Sequence, residues 1–270
     1  MTTRDFRFGS VLGGQGTAAR WAEIARTREE AGYAAVLVPD TLATPSPFLA
    51  LAAAASATTS IRLGTWVLSA PLRRPAEVVR EASTLQQLSD GRLELGVGAG
   101  RPGGEYDAAA LGATWGGAGE RVSQVEATLE AVRDGVSPAP SIVVAAHGER
   151  MLRLAGRFAG TVALPAPPTA DLIEIAELAK RARSIGGGRL ELALQITGVG
   201  DDIPDWLTQR LGLTTQGLRD RGVPTLLSGD VDTDLEQLEA LRATTGISYL
   251  TVTDEYADRL APLVGRASGR

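Results

Sequence analysis

Short apolar, β-branched runs alternate with helical runs along the whole of this 270-residue chain, and that alternation limits the possible folds more than any other feature. Phe6 to Leu12 reads as a first strand. The glycine-rich loop Gly13 to Thr17 then leads into a helix from Ala18 to Ala31, which Gly32 ends as a C-terminal cap. Ala34 to Val38 is a continuous apolar run ending at Pro39-Asp40, the pattern of a strand buried on both faces. A helix over Pro47 to Thr58 and a third strand over Ile61 to Ser69 follow. Pro75 then opens a helix with one apolar stripe through Val78, Val79, Ala82, Leu85 and Leu88. Ser89-Asp90-Gly91 turns the chain into a fourth strand, Arg92 to Gly98.

The second half repeats the pattern. Strands are expected at Ile142–Ala145, Thr161–Leu164, Leu190–Thr197 and Ile247–Val252, with helices at Glu120–Arg133, Glu149–Phe158 and Asp171–Arg183 and a less regular helical region over Ile203–Leu241. Strict alternation demands parallel strands with right-handed crossovers. Eight such units close into a barrel better than they form an open sheet, and about 250 residues suffice for one. The expected fold is therefore α/β, a single (β/α)8 TIM barrel over residues 1–270, with an open doubly wound sheet as the runner-up. In a barrel the active end lies at the strand C-termini, where the glycine- and proline-rich loops fall. The stretch from Gly98 to Gly119 is longer than connections usually are, which suits a binding loop.

Counting removes several chemistries. There is no cysteine and one histidine, which excludes disulfides, thiolate metal sites, cysteine nucleophiles and paired-histidine metal sites, so no metal centre is expected. Lys180 is the only lysine, and it is not followed by Ser or Thr, so no Walker loop can be written. A formal charge of −5 argues against a general nucleic-acid binder. The longest apolar stretch, Phe48 to Ala57, is far below the roughly 20 residues of a membrane span. Met1-Thr2-Thr3-Arg4-Asp5-Phe6 lacks an apolar signal core, so a cytoplasmic protein is expected.

Gly98-Ala99-Gly100-Arg101-Pro102-Gly103 matches GxGxxG after a strand, but Pro102 and further glycines continue a loop where a dinucleotide fingerprint would open a helix. Its alternative meaning is a strand end where backbone approaches a flat ligand or turns sharply. Ala145-Ala146-His147-Gly148-Glu149 runs from a strand directly into a helix, whose unpaired N–H groups favour an anion; an ordinary βα turn with an exposed histidine is the other reading. Asp40, at the barrel mouth, is a candidate proton donor/acceptor or ligand contact, or merely a loop cap. Arg73-Arg74 before Pro75, and Arg101, are candidate anion contacts, and Trp66 or Trp115 could stack on a ring. Asp230, Asp232 and Asp234 resemble part of a calcium loop, but Leu235 follows and no Glu completes it, so a helix N-cap cluster is expected.

The runs Ile61 to Leu68, Arg74-Pro75-Ala76, Glu81 to Leu85 and Leu88-Ser89-Asp90-Gly91-Arg92 through Gly100 to Tyr106 together resemble the luciferase-like monooxygenase superfamily, especially its deazaflavin (coenzyme F420)-dependent oxidoreductase branch. Arg150 to Arg157, Gly246 to Tyr249 and Ala261 to Val264 extend the similarity over nearly the whole chain. The resemblance implies a barrel holding a flavin or deazaflavin at the strand C-termini. It implies a non-proline cis peptide near Val67-Leu68-Ser69 under the ring and a cofactor contact at Gly98 and Gly100. It also implies a phosphate site on the loop Ala145-Ala146-His147-Gly148, and a homodimer. Two departures stand out: the family's Asp-His pair is Asp40-Thr41 here, and the usual glycine pair of the phosphate loop is Ala145-Ala146. If either alanine needs a positive φ, its methyl carries a cost. The resemblance thus implies hydride transfer between F420 and a small organic substrate, with proton transfer falling to Asp40, water or the substrate. The alternatives are an FMN-dependent monooxygenase and a barrel that has lost cofactor binding.

Overall fold

The computed structural model describes residues 4–268. The barrel begins with β1 (Arg7–Val11), α1 (Ala18–Glu30), β2 (Ala35–Val38) and α2 (Pro47–Ala55). Thr17 caps α1 by accepting from Arg20 N–H, and Gly32 follows the helix with φ +84°, a conformation open to glycine without a Cβ penalty. The third stave was expected as one strand over Ile61–Ser69. It is two short pieces, β3 (Arg62–Thr65) and β4 (Leu68–Ser69), separated by a cis peptide between Trp66 and Val67. The cis bond therefore falls just before the Val67-Leu68-Ser69 segment. A 3-10 turn at Ala70–Leu72 leads into α3 (Pro75–Leu88), and β5 is Leu93–Gly98.

The long stretch after β5 is not all loop. It carries α4 (Gly104–Ala110) before α5 (Ala118–Gly135). The barrel continues as β6 (Ser141–Ala145), α6 (Glu149–Phe158), β7 (Thr161–Ala163), α7 (Leu172–Gly186) and β8 (Glu191–Gln195). The region expected to be irregular helix is more varied: β9 (Gly198–Val199) and β10 (Leu226–Leu227) pair in parallel as a separate two-stranded sheet that brackets α8 (Asp205–Leu211) and α9 (Thr215–Asp220). Helix α10 (Val231–Thr245) starts on Asp230, which caps it by accepting from Thr233 N–H; Asp234 instead holds the preceding loop by accepting from Ser228 and Gly229 N–H, and Asp232 pairs with Arg266 at 3.6 Å. The last stave β11 (Ile247–Thr253) runs into α11 (Asp254–Ala267), a helix whose start gave no clear signal in the sequence.

Closure excludes the open-sheet alternative. The pairing order is β3-β2-β1-β11-β8-β7-β6-β5-β4, and β3 also pairs with β5, all in parallel. With β3 and β4 counted as one split stave, eight staves ring the interior. Alternate residues point outward into a continuous shell under the helices: Phe8, Val36, Leu63, Leu95, Val144, Val162, Leu192 and Leu250. Ala35, Leu37, Ala193 and Tyr249 pack together inside. Among the described residues no helix is long and apolar enough to cross a membrane. The stretch read for a targeting signal begins at Met1-Thr2-Thr3, which lies outside the described residues.

The interior floor, at the strand N-termini, is polar. Arg7 of β1 bonds Glu94 of β5 at 2.9 Å and Glu191 of β8 at 2.8 Å, and its guanidinium lies 3.7 Å from the centre of the Tyr249 ring. Tyr249 O–H donates to Glu94 at 2.8 Å, and Thr161 Oγ1 donates to Glu191 at 2.9 Å. Burial works against the Arg7 charge, yet the facing Glu94, Tyr249 and Glu191 hold its pKa above the usual arginine value. Burial, reinforced by the Glu94 charge, pushes the Tyr249 phenol far up, so it stays an O–H donor. Glu94 is nearly sealed, with 2% of its side chain exposed. Replacing Arg7 by Met should leave two carboxylates without their cation and destabilise the fold by about 3–5 kcal/mol. Urea unfolding checks this, and an unchanged midpoint would show that the knot contributes nothing.

Candidate active site

The mouth is shaped by the split third stave. Val67 drops toward β5, where a glycine stands at every inward position it meets. A Cβ at Gly96 would lie 2.2 Å from the Thr65 carbonyl oxygen and 2.8 Å from Val67 Cγ1, and one at Gly98 would lie 2.8 Å from Val67 Cγ2. Thr65 secures the junction from the other side, its Oγ1 donating to the Gly96 carbonyl at 2.7 Å and accepting from Gly96 N–H at 2.9 Å. Gly100, with φ +87°, makes room for Trp115, whose Cη2 would be 2.3 Å from an added Cβ. Gly98 and Gly100, expected as cofactor contacts, thus border space that Val67 and Trp115 occupy. The GxGxxG segment was expected to continue as a loop; instead its last glycine, Gly103, is the left-handed N-cap of the seven-residue α4, so the segment opens a short helix.

Asp40 leaves the end of β2 and meets Arg73 in a two-point pair, with both distances 2.8 Å. One of the same oxygens accepts from Ser69 N–H at 3.1 Å. Arg73 also reaches Glu81 at 3.1 Å. Burial opposes the Arg73 charge, but the hydrogen bond and charge of Asp40, with Glu81 beyond, raise its pKa. Burial likewise pushes the Glu81 carboxyl up against the pull of Arg73. Asp40 therefore ties the end of β2 to the end of β4. Ser69 itself is buried, and its Oγ has no hydrogen-bond partner. Thr251 Oγ1, on the same face of β11 as Tyr249, is also buried and unpartnered. Buried hydroxyls normally find partners, so these two orphans mark the mouth as polar surface suited to a ligand with its own donors and acceptors. Leu68 belongs instead to the outer core beneath the helices.

Ala145 ends β6, and Ala146 gives its N–H to the Ala163 carbonyl at 3.2 Å while its side chain joins the outer core. Neither alanine has a positive φ. The absent glycine pair therefore carries no backbone cost here. Gly148 is the N-cap of α6, with φ −78°, no side-chain cap and open space where a Cβ would stand. His147 is exposed beside it. The first-turn N–H groups of α6 are thus free of a capping side chain, which fits a phosphate. Of the arginines expected to meet an anion, Arg73 is paired with Asp40, Arg74 with Glu77 at 3.6 Å and Arg101 with Asp107 at 2.8 Å. The sequence reading overlooked Arg150, on the first turn of α6. Among the described residues its guanidinium bonds the Gly119 carbonyl and Ser123 Oγ, at 3.3 and 3.4 Å, and no carboxylate. Its position after a strand-to-helix turn was the available signal.

Trp66 packs edge-on against Tyr249, with 5.9 Å between ring centres, inside the barrel. Trp115 covers Gly100 and Gly104, and the Arg121 guanidinium lies 4.8 Å from its ring centre; Arg121 also holds the Ala99 carbonyl at 3.0 Å. On the opposite side two adjoining clefts, about 100 and 170 Å³, open beside Gln195 and Thr197. Trp206 and Leu207 of α8 line the larger. Neither alone approaches the roughly 300 Å³ at which ligand pockets begin. The β7–α7 loop and the end of β8 form most of their walls, and the β9–β10 insertion, for which the sequence offered no code, adds Thr225 to the smaller and Pro204, Trp206 and Leu207 to the larger.

The luciferase-like monooxygenase family profile matches residues 5–202, and the chain belongs to that family. A curated relative, the phthiodiolone/phenolphthiodiolone dimycocerosates ketoreductase of Mycobacterium kansasii, is 36% identical over 155 residues, covering 49% of this chain. The match spans 42% of that relative's length. Among solved structures, an F420-dependent secondary alcohol dehydrogenase in complex with an F420–acetone adduct superposes with a TM-score of 0.75 at 15% identity, covering 98% of this chain and 99% of the other. A riboflavin lyase with modified FMN and riboflavin gives 0.74 at 15% identity, covering 97% and 92%. At these identities the shared feature is the fold.

The fit of Val67 over Gly96 generates a test. Gly96→Ala places a methyl against the Thr65 carbonyl, which is backbone and cannot rotate away. We expect a loss of about 1–3 kcal/mol in urea unfolding; unaltered stability would mean that the third stave does not depend on this contact.

Proposed function

We propose that the protein is an oxidoreductase transferring a hydride between coenzyme F420 and a small organic substrate of the ketone/secondary-alcohol class. The observation that carries the reading is the polar, unpartnered mouth: Ser69 Oγ buried without a partner on one side and the uncapped first turn of α6 on the other. These suit a planar ring with amide-like edges and a phosphate-bearing tail. Family membership supports redox chemistry. F420 is favoured over FMN because a curated relative is a ketoreductase and a structural neighbour is an F420-dependent secondary alcohol dehydrogenase, so both names point to the same carbonyl chemistry.

When bound, the deazaflavin supplies or accepts the hydride. The residues that would hold it are Ser69 at the ring and His147, Gly148 and Arg150 at the phosphate, with Val67 as the wall behind. Asp40 acts by position: its oxygens are engaged by Arg73 and Ser69 N–H, which fixes the Ser69 hydroxyl at the mouth. Reduction of a ketone needs a proton at the oxygen as well as a hydride at the carbon. Thr41 stands where an imidazole would, so we assign that proton to water at the open strand ends. The FMN-dependent reading is kept by the riboflavin lyase, whose structure contains modified FMN on the same fold.

Separate titrations of the purified protein with F420 and FMN, followed by fluorescence quenching, distinguish the readings. We expect saturable F420 binding at about 10 μM or tighter and much weaker FMN binding; the reverse order selects the monooxygenase, and binding of neither overturns both. Because a side chain at Gly148 meets open space, Gly148→Phe should fold normally and weaken cofactor binding at least tenfold. Unchanged affinity in the folded variant would remove the phosphate assignment.

A further inference from the structure

The barrel has a second opening, at the strand N-termini, opposite the candidate active site. A groove of about 470 Å³ descends there to the Arg7–Glu94–Glu191 floor. Its volume is in the range of small-ligand pockets, and arginines dominate its rim: Arg4, Arg62, Arg157 and Arg189. Arg157 is occupied by Glu126 and Glu130 on α5, at 2.9 and 2.8 Å. The other three have no carboxylate partner among the described residues. Arg4 donates to the Arg189 carbonyl, Arg62 to Ser141 Oγ at 2.9 Å and Arg189 to the Gly156 carbonyl at 2.7 Å. The two acids on the groove wall have their oxygens engaged by Arg7, Tyr249 and Thr161, and together with Arg7 they leave one negative charge at the floor against the three guanidinium groups above it.

Three guanidinium groups held only by neutral oxygens thus face one concavity. Guanidinium forks match phosphate oxygens in pairs. The groove is closed below by the barrel floor, so it admits a small molecule and not an extended strand or duplex. From these contacts we infer that the N-terminal end of the barrel is a binding site for a small polyphosphate group, bridged by Arg4, Arg62 and Arg189. Such a ligand would link the starts of β1, β3 and β8, far from the mouth. One wall is apolar, formed by Ile142 and Phe158, so the phosphate chain could be free or belong to a nucleotide whose base rests there.

Calorimetric titration at low salt with inorganic tripolyphosphate and, separately, with magnesium-free ATP tests the site on the intact protein. Saturable binding is expected, together with a ligand-dependent rise in Tm by mass action. The affinity should fall at least tenfold, and the ligand-dependent rise in Tm should shrink with it, in the double variant Arg62→Ala/Arg189→Ala, while both persist in Lys180→Ala, a surface change on α7. If the double variant melts early without ligand, Arg189→Ala alone, on the exposed rim, is read instead. Stronger binding of ATP than of tripolyphosphate supports a nucleotide, and equal binding supports the phosphate chain alone. No saturable binding, or equal binding by wild type and variant (an adventitious ion only), overturns the proposal. F420 and FMN affinity should be unaffected by the double variant, which separates this site from the mouth.

Discussion

A closed barrel must fill its interior, and this one does so at one end with charge. Arg7 is the centre of that arrangement, touching carboxylates from two other staves and lying over the Tyr249 ring of a third. Burying three ionised groups is costly, and a fully apolar filling would serve stability at least as well. Once the pieces are in place, however, each is needed by the rest: remove the cation and two carboxylates lose their partner, remove the phenol and Glu94 loses a donor. The knot also sets relative register, because residues from β1, β5, β7, β8 and β11 must arrive at one level for the bonds to form. It spans the barrel where side chains of fixed length must meet, so the strands have little freedom to slide.

Space above the knot is divided by small residues. A Cβ at Gly9 would lie 2.7 Å from Leu37 and 2.9 Å from the Tyr249 hydroxyl, and one at Gly64 would lie 2.5 Å from Leu37. Those glycines let two large side chains fill the middle layer. Higher still, Gly96 and Gly98 receive Val67. The result is a molecule plugged at the bottom and middle, with the unpartnered hydroxyls of Ser69 and Thr251 toward the mouth and that of Ser248 at the start of β11. This asymmetry is the reason for proposing the chemistry at the strand C-termini although the larger open concavity is at the other end. One end offers uncommitted neutral hydrogen-bonding groups and an uncapped helix start, the other a ring of cations.

Much of the architecture was legible because it depends on short-range periodicity. The apolar run at Ala34–Val38, the stop at Gly32 and the capping role of Asp230 each follow from interactions within a few residues. The candidate site was only partly legible. The strand-end location of Asp40 could be read, but its engagement by Arg73, 33 residues away, could not. Glycines at 98 and 100 looked like ligand space because a sequence shows a missing side chain without showing which neighbour fills the gap. Arg73 looked like a free cation for the same reason, since Asp40 is brought to it by the folded chain; the acids that hold Arg74 and Arg101, Glu77 and Asp107, lie only three and six residues on and were within reach of a local pattern.

The sequence by itself determined the class of fold and the direction of the strands, because alternation and chirality act locally and leave one economical closure. Tertiary structure alone decided where the third stave breaks, which arginines remain without an acidic partner, and which hydroxyls stay buried and unpaired. Those are properties of distance between residues remote in the chain, and no local pattern encodes them.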